Sequence, residues 1–235
     1  EKESKDPSLK ESSTQKFQNA VIHYRKYLAR YQGELSWDTY QVRQNLAIVL
    51  ASLKQHREAA EEWDWCANVN TSKLGKKPPN KKGLVNTADA AYNAVFNMDE
   101  NRKVAIERSG GDKEKAYRSP ETREYFVFVD KYMAKFGKTN KAPDIAYNAA
   151  FVHYEAKNYT VAINSLKELV KSFPRHKHAN LIQRALGQSY LENGQYKDAE
   201  VTFAALQKKL VGQKDYADVR KSLAFSIFKQ ADEAS

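Results

Sequence analysis

His176 and His178 stand two residues apart near the start of a helical pattern, the closest pair among five histidines. Two imidazoles on one helix face could hold a metal ion or relay a proton, but a two-residue step on a helix points them apart. His23, His56 and His153 are scattered, the single Cys66 has no partner for an intrachain disulfide, and no Cys/His group has zinc spacing. No Gly-rich phosphate loop, Gly-x-Ser-x-Gly elbow or His-Glu-x-x-His motif occurs. The chain therefore shows no local signature of catalysis, and the expectation is a protein without catalytic residues, metal or cofactor.

Charge is the second candidate chemistry. The 39 basic and 29 acidic side chains give a net charge of +10, which favours anionic partners through long-range attraction. The basic loop 70–83 carries Lys73, Lys76, Lys77, Lys81 and Lys82 and no acid, with Pro78-Pro79 and two glycines marking it as irregular. It could attract nucleic acid, a cell-surface polysaccharide or an acidic protein. No aromatic residue interleaves the lysines to stack bases, and a solvated linker accounts for the same composition.

Whatever binds must be positioned by helices. Only 9 Gly and 6 Pro punctuate 235 residues, long stretches are rich in Ala, Leu, Lys, Glu and Gln, and no apolar run approaches the ~20 residues a membrane-spanning helix needs. Leu186, Tyr190, Ala199, Phe203 and Leu206 step by three or four within each of two halves, and Gly194 falls between the halves where a helix can end in a left-handed residue. This pattern is a helical hairpin. It recurs at Ala149-Ala150, Tyr159, Ala162, Leu166 and Leu169, closed by Phe173-Pro174, and at Leu46-Ala47, Leu50, Ala59, Trp63 and Cys66. A middle copy pairs Asp89–Phe96, a near repeat of Asp144–Phe151, with Tyr125, Val129, Tyr132 and Phe136, and residues 101–118 form an insertion between its halves. Phe17, Ala20, Tyr24 and Tyr27 match a second half alone, and Leu223-Ala224 with Phe228 a first half alone.

These residues resemble the tetratricopeptide repeat family, most fully at Leu186-Gly187, Tyr190, Gly194, Tyr196, Ala199, Phe203 and Leu206. The resemblance implies an all-α, right-handed superhelical solenoid of antiparallel helix pairs. Residues 1–235 would form one domain of about four hairpins with half-repeats at the ends, excised from a longer protein. One hairpin cannot bury its apolar face alone, so each unit covers its neighbour. Tyr125, at a position where the family has a small residue, departs from regular stacking. The closing Phe173-Pro174 and the lysine-rich composition are similar to repeats of bacterial cell-envelope proteins, which implies a periplasmic or outer-membrane-associated place.

In this family the first helix of each pair lines a concave groove. Carried onto this chain, the groove positions are Gln44 and Asn45, then Tyr92, Asn93 and Phe96, then Tyr147, Asn148, Phe151 and Tyr154, and last Arg184 and Gln188. The implied function is a scaffold or adaptor that binds a peptide or protein domain there through ring area and side-chain amides. The carboxylate clamp of chaperone-binding members is not expected, because its positions carry Asp89, Asp144, Phe96 and Phe151. The same rings could instead pack between repeats, as aromatic stripes at helical spacing commonly do.

Overall fold

A computed structural model describes residues 7–76 and 83–234. Among them are eleven α-helices and no strand: α1 (Pro7–Arg30), α2 (Trp37–Ser52), α3 (His56–Asn68), α4 (Thr87–Arg108), α5 (Lys113–Tyr117), α6 (Pro120–Phe136), α7 (Ala142–Glu155), α8 (Tyr159–Ser172), α9 (Ala179–Glu192), α10 (Tyr196–Lys209) and α11 (Tyr216–Ala234). Each helix from α1 to α4 packs on the next, α6 packs on α4, and α7 to α11 pack in sequence, the order expected of a tetratricopeptide-like helical solenoid. The chain divides into two compact units. Unit 1 holds residues 1–110 and 119–139, and unit 2 holds 111–118 and 140–235. No described helix is long and apolar enough to cross a membrane.

Local chemistry explains the starts. Ser36, Asn86, Asp112 and Ser119 each accept an N–H from the first turn of α2, α4, α5 and α6, and Pro120 occupies the position where a missing donor costs nothing. The hairpin ends share one geometry. Lys54, Lys157 and Gly194 lie at the same phase of three repeats, with φ of 61°, 56° and 75°. The next residue's N–H reaches back to Leu50, His153 and Tyr190 O at 2.9, 3.0 and 2.8 Å, closing the helix with a six-to-one hydrogen bond. Only Gly194 signals this in the sequence, and two lysines adopt a conformation that costs a side-chain-bearing residue roughly 1–2 kcal/mol. Replacing Lys54 by Gly is therefore expected to raise stability by about 0.5–1 kcal/mol, read as a higher urea midpoint at constant slope. An unchanged or lower midpoint would show that the turn is not strained.

In unit 1, Tyr40, Leu46, Leu50, Ala59, Trp63, Cys66 and Met98 are buried at the α2–α3–α4 contacts. Burial pushes the Cys66 thiol up to about 12, so it is an inert core group. The middle hairpin is irregular, as its sequence implies, but it closes. Arg102 stands where Lys157 turns the chain, yet α4 stays helical to Arg108 and adds its length to the hairpin. Tyr125 is fully buried there, with the Arg102 guanidinium 5.5 Å from its ring centre and Asp99 2.7 Å from the same guanidinium. The bulky ring is accommodated by a longer first helix, with small Ala90, Ala91 and Ala94 buried along it.

Unit 2 is the more regular. Ala150, Ala162, Leu166, Leu169, Ile182, Leu186, Tyr190, Ala199, Phe203, Leu206 and Val219 form one buried cluster. A β-carbon added at Gly187 would stand 2.8 Å from a ring carbon of Phe203, so glycine here permits the close approach of α9 and α10. Residues 101–118 are thus split: the first eight lengthen α4, and α5 packs on α7.

Candidate functional site

The buried side of α7 carries Ile145, Ala149, Ala150 and Val152, which leaves Tyr147, Phe151 and Tyr154 half-buried along a neighbouring stripe. Their rings form a ladder. Tyr147 and Phe151 are 4.5 Å apart between centroids, Phe151 and Tyr154 5.7 Å, and Tyr154 and Tyr159 of α8 6.2 Å. His176 stacks on Tyr147 at 5.2 Å and His178 lies against the same ring at 5.0 Å. The expectation that the two histidines point apart is corrected here. They precede α9 instead of lying in it, and the turn after Phe173 folds both rings onto Tyr147.

Hydrogen bonds fix the histidine end. The His178 N–H lies 3.2 Å from His176 Nδ1, and His176 Nε2 lies 3.3 Å from Asp144 Oδ1. Lys177 Nζ is 2.8 Å from the same oxygen and, with His176, holds the Asp144 carboxyl below its ordinary range. Burial is the main reason that the Tyr147 and Tyr154 phenols are raised. They are neutral donors and acceptors at physiological pH, with apolar faces partly open to solvent.

The remaining expected residues of unit 2 flank this ladder in different states. Asn148 is exposed on α7. Arg184 influences Tyr154 electrostatically and points toward α11, 3.5 Å from Asp218 and 3.9 Å from Asp215. Gln188 donates to Glu192 at 2.7 Å. Tyr147, Phe151, Tyr154 and Arg184 thus belong to one neighbourhood, with Asn148 beside it.

Unit 1 departs from expectation at its first position. Gln44 does not line an open surface: it is 3% exposed, its amide nitrogen donates to Gly83 O, and its amide oxygen accepts from Val85 N at 2.9 Å. Tyr40 OH adds a bond to Val85 O at 2.7 Å and Trp37 Nε1 one to Gly75 O at 3.2 Å. These residues of α2 hold the chain at Gly75 and again at Gly83 and Val85, where the buried Gln44 amide has both its donor and its acceptor used. Asn45, Tyr92 and Asn93 are half-buried and Phe96 is 51% exposed. Of the basic loop, Lys73 and Lys76 are exposed, whereas Lys77, Lys81 and Lys82 lie outside the described residues. Among the described residues no group of His, Cys, Asp and Glu could hold a metal ion.

Residues 140–223 match the model of a protein family described as tetratricopeptide repeat. That segment carries tetratricopeptide repeats. It spans α7 to α10 and the first half of α11, the part of unit 2 in which the ring ladder sits. No curated protein matches the chain. Tetratricopeptide repeats generally mediate protein–protein interaction and typically form a non-catalytic scaffold.

Reading groove positions from the tetratricopeptide resemblance alone overlooked three residues. His176 and His178 extend the ladder, but their rings meet Tyr147 through a turn whose course helical spacing does not encode. Tyr159 opens α8 at the far end, and its place in the second half of the hairpin motif marked it only as core. On α4 of unit 1 the amide that is buried is Asn97, bonded to Asn93 O at 2.9 Å and facing His56 Nδ1 at 3.3 Å, while Asn93 is half-buried.

Proposed function

We propose that this chain is a non-catalytic scaffold that holds a peptide segment of a partner protein on the ring ladder of unit 2. The observation that carries this is the unbroken row of six rings from His178 to Tyr159, with successive centroids 4.5 to 6.2 Å apart, in which the His176 side chain is buried and the other five residues are at least partly exposed. Aromatic faces supply apolar contact area at low conformational cost, and the neutral phenols, Asn148 and Gln188 supply hydrogen bonds to a peptide backbone. A ligand with apolar side chains at alternate positions fits such a row. The ladder is also packed against the unit 2 core, so it is rigid before a partner arrives.

Peptides selected on the intact chain from a random display library provide the test. Joint replacement of Tyr147, Asn148 and Phe151 by Ala is expected to weaken the selected peptides at least tenfold, about 1.4 kcal/mol or more. Asn148→Arg, at an exposed position with no packing to disturb, is expected to weaken them severalfold at unchanged helicity. Peptides that bind both folded variants as tightly as the original chain would place the site elsewhere.

A further inference from the structure

The ring ladder ends in a corner that meets a carboxylate. Tyr154 lies in the last turn of α7 and Tyr159 opens α8, and their rings stand at 61° to each other with centroids 6.2 Å apart, both partly exposed. Two phenol faces inclined in this way attract a cation, because each ring carries negative potential over its face. Burial is the main reason that both phenols are raised, and of the charges that act on them Glu192, the last residue of α9, is common to the two. It therefore lies beside the corner.

The other charges around these rings are already matched. Arg184, which acts on Tyr154, is shared by two carboxylates, Asp218 at 3.5 Å and Asp215 at 3.9 Å. Lys157 beside Tyr159 pairs with Glu114 at 2.5 Å, and Glu155 beside Tyr154 pairs with Lys113 at 2.9 Å. Glu192 is exposed, and its partner among the described residues is the neutral Gln188 amide at 2.7 Å. The acids thus hold the excess here, on a chain whose net charge is +10. Screening limits exposed charges to about 8–10 Å, so a ligand at the corner meets this local sign before that of the whole chain.

We infer that a peptide held on the ladder, the reading on which this rests, places a lysine or arginine side chain in the corner. Its methylene stem lies on the Tyr154 and Tyr159 faces, and its cationic head meets Glu192. An exposed ion pair contributes little by itself, so selectivity comes from two rings and a carboxylate acting on one head group. An acidic or phosphorylated side chain would instead meet Glu192 and the acids that share Arg184. The ladder also sets a spacing. An extended chain advances roughly 6.6 Å over two residues, close to the 5.7 Å between the Phe151 and Tyr154 centroids. An apolar side chain on Phe151 and the basic one in the corner are therefore two positions apart.

Peptides selected on the intact chain from a random display library supply the probes. They are expected to carry Lys or Arg two positions from an aromatic or aliphatic residue. Replacing that basic residue by Met, which retains a long apolar stem, is expected to weaken binding severalfold. Glu192→Gln in the chain is expected to weaken the basic peptide to a similar degree and to leave the Met peptide unchanged, and Glu192→Lys to weaken the basic peptide further. Glu192 is exposed, so neither substitution disturbs packing. Peptides that lose affinity for the folded Tyr147, Asn148 and Phe151 triple variant but have no basic residue, or bind Glu192→Gln as tightly as the original chain, overturn the corner and leave the ladder standing. Peptides indifferent to the triple variant overturn both, and so does a library that yields no binder.

Discussion

Phe203→Ala is expected to cost unit 2 about 3–5 kcal/mol, the largest loss from any single side chain considered. The ring is wholly buried in the cluster shared by α8, α9 and α10, and it fills the space left by Gly187. Truncation removes its transfer free energy and leaves a cavity that two helices held by their neighbours cannot close. The pairing with Gly187 makes a sharper expectation. Gly187→Ala alone gains about 1 kcal/mol of helix propensity but forces a β-carbon to 2.8 Å from the ring, an overpacking cost of roughly 1–3 kcal/mol, so the net effect is a loss. In a Phe203→Leu background the same substitution is expected to stabilise by up to about 1 kcal/mol. The previous hairpin already has Ala150 and Leu166 at those positions, both buried. Urea unfolding of the four proteins in a double-mutant cycle measures the coupling. Effects that add independently would mean that the two residues do not constrain each other.

What was legible in the sequence was what periodicity encodes. Leu186, Tyr190, Ala199, Phe203 and Leu206 are core in the structure because apolar side chains at three- and four-residue steps have one way to leave water together. The octapeptide beginning at Asp144 places Tyr147 and Phe151 beside that core, and Asp89–Phe96 lies on the corresponding helix of unit 1. What was not legible depends on contacts distant in sequence or on backbone that residue type does not announce. Gln44 turns inward because the chain returns over α2 forty residues later, and no pattern around Gln44 foretells that return. Lys54 and Lys157 occupy the left-handed turn that only Gly194 advertises. His176 and His178 share a ring because they sit in a bend, where helical spacing has no authority. The ring ladder was therefore legible where it lies on a helix and illegible where a loop completes it.

Lowering the pH from 6.5 to 4 is expected to destabilise unit 2 by about 2–3 kcal/mol through His153 alone, the second large effect. Burial pushes this imidazole down to about 4 from its usual 6.5. A folded-state value below the unfolded one means that the unfolded chain takes up the proton first. The stabilisation is thus complete above pH 6.5 and is lost as pH falls toward 4. Geometry supports the neutral ring. Asn158 Nδ2 donates to Tyr117 OH at 3.1 Å, which leaves the phenol proton to be given to His153 Nδ1 at 2.8 Å. A protonated Nδ1 could not accept it. Because Tyr117 belongs to α5, the same proton would loosen that short helix from α7, leaving the exposed ion pairs of Lys113 with Glu155 at 2.9 Å and Lys157 with Glu114 at 2.5 Å. Exposed pairs contribute little to that contact. His153→Asn retains an acceptor near the Nδ1 position without a titratable ring, so its unfolding free energy should vary less between pH 6.5 and 4 by that same 2–3 kcal/mol. Amide protection factors of α5 should fall over the same interval in the original chain and not in the variant. Equal pH slopes for the two proteins would remove His153 as the cause.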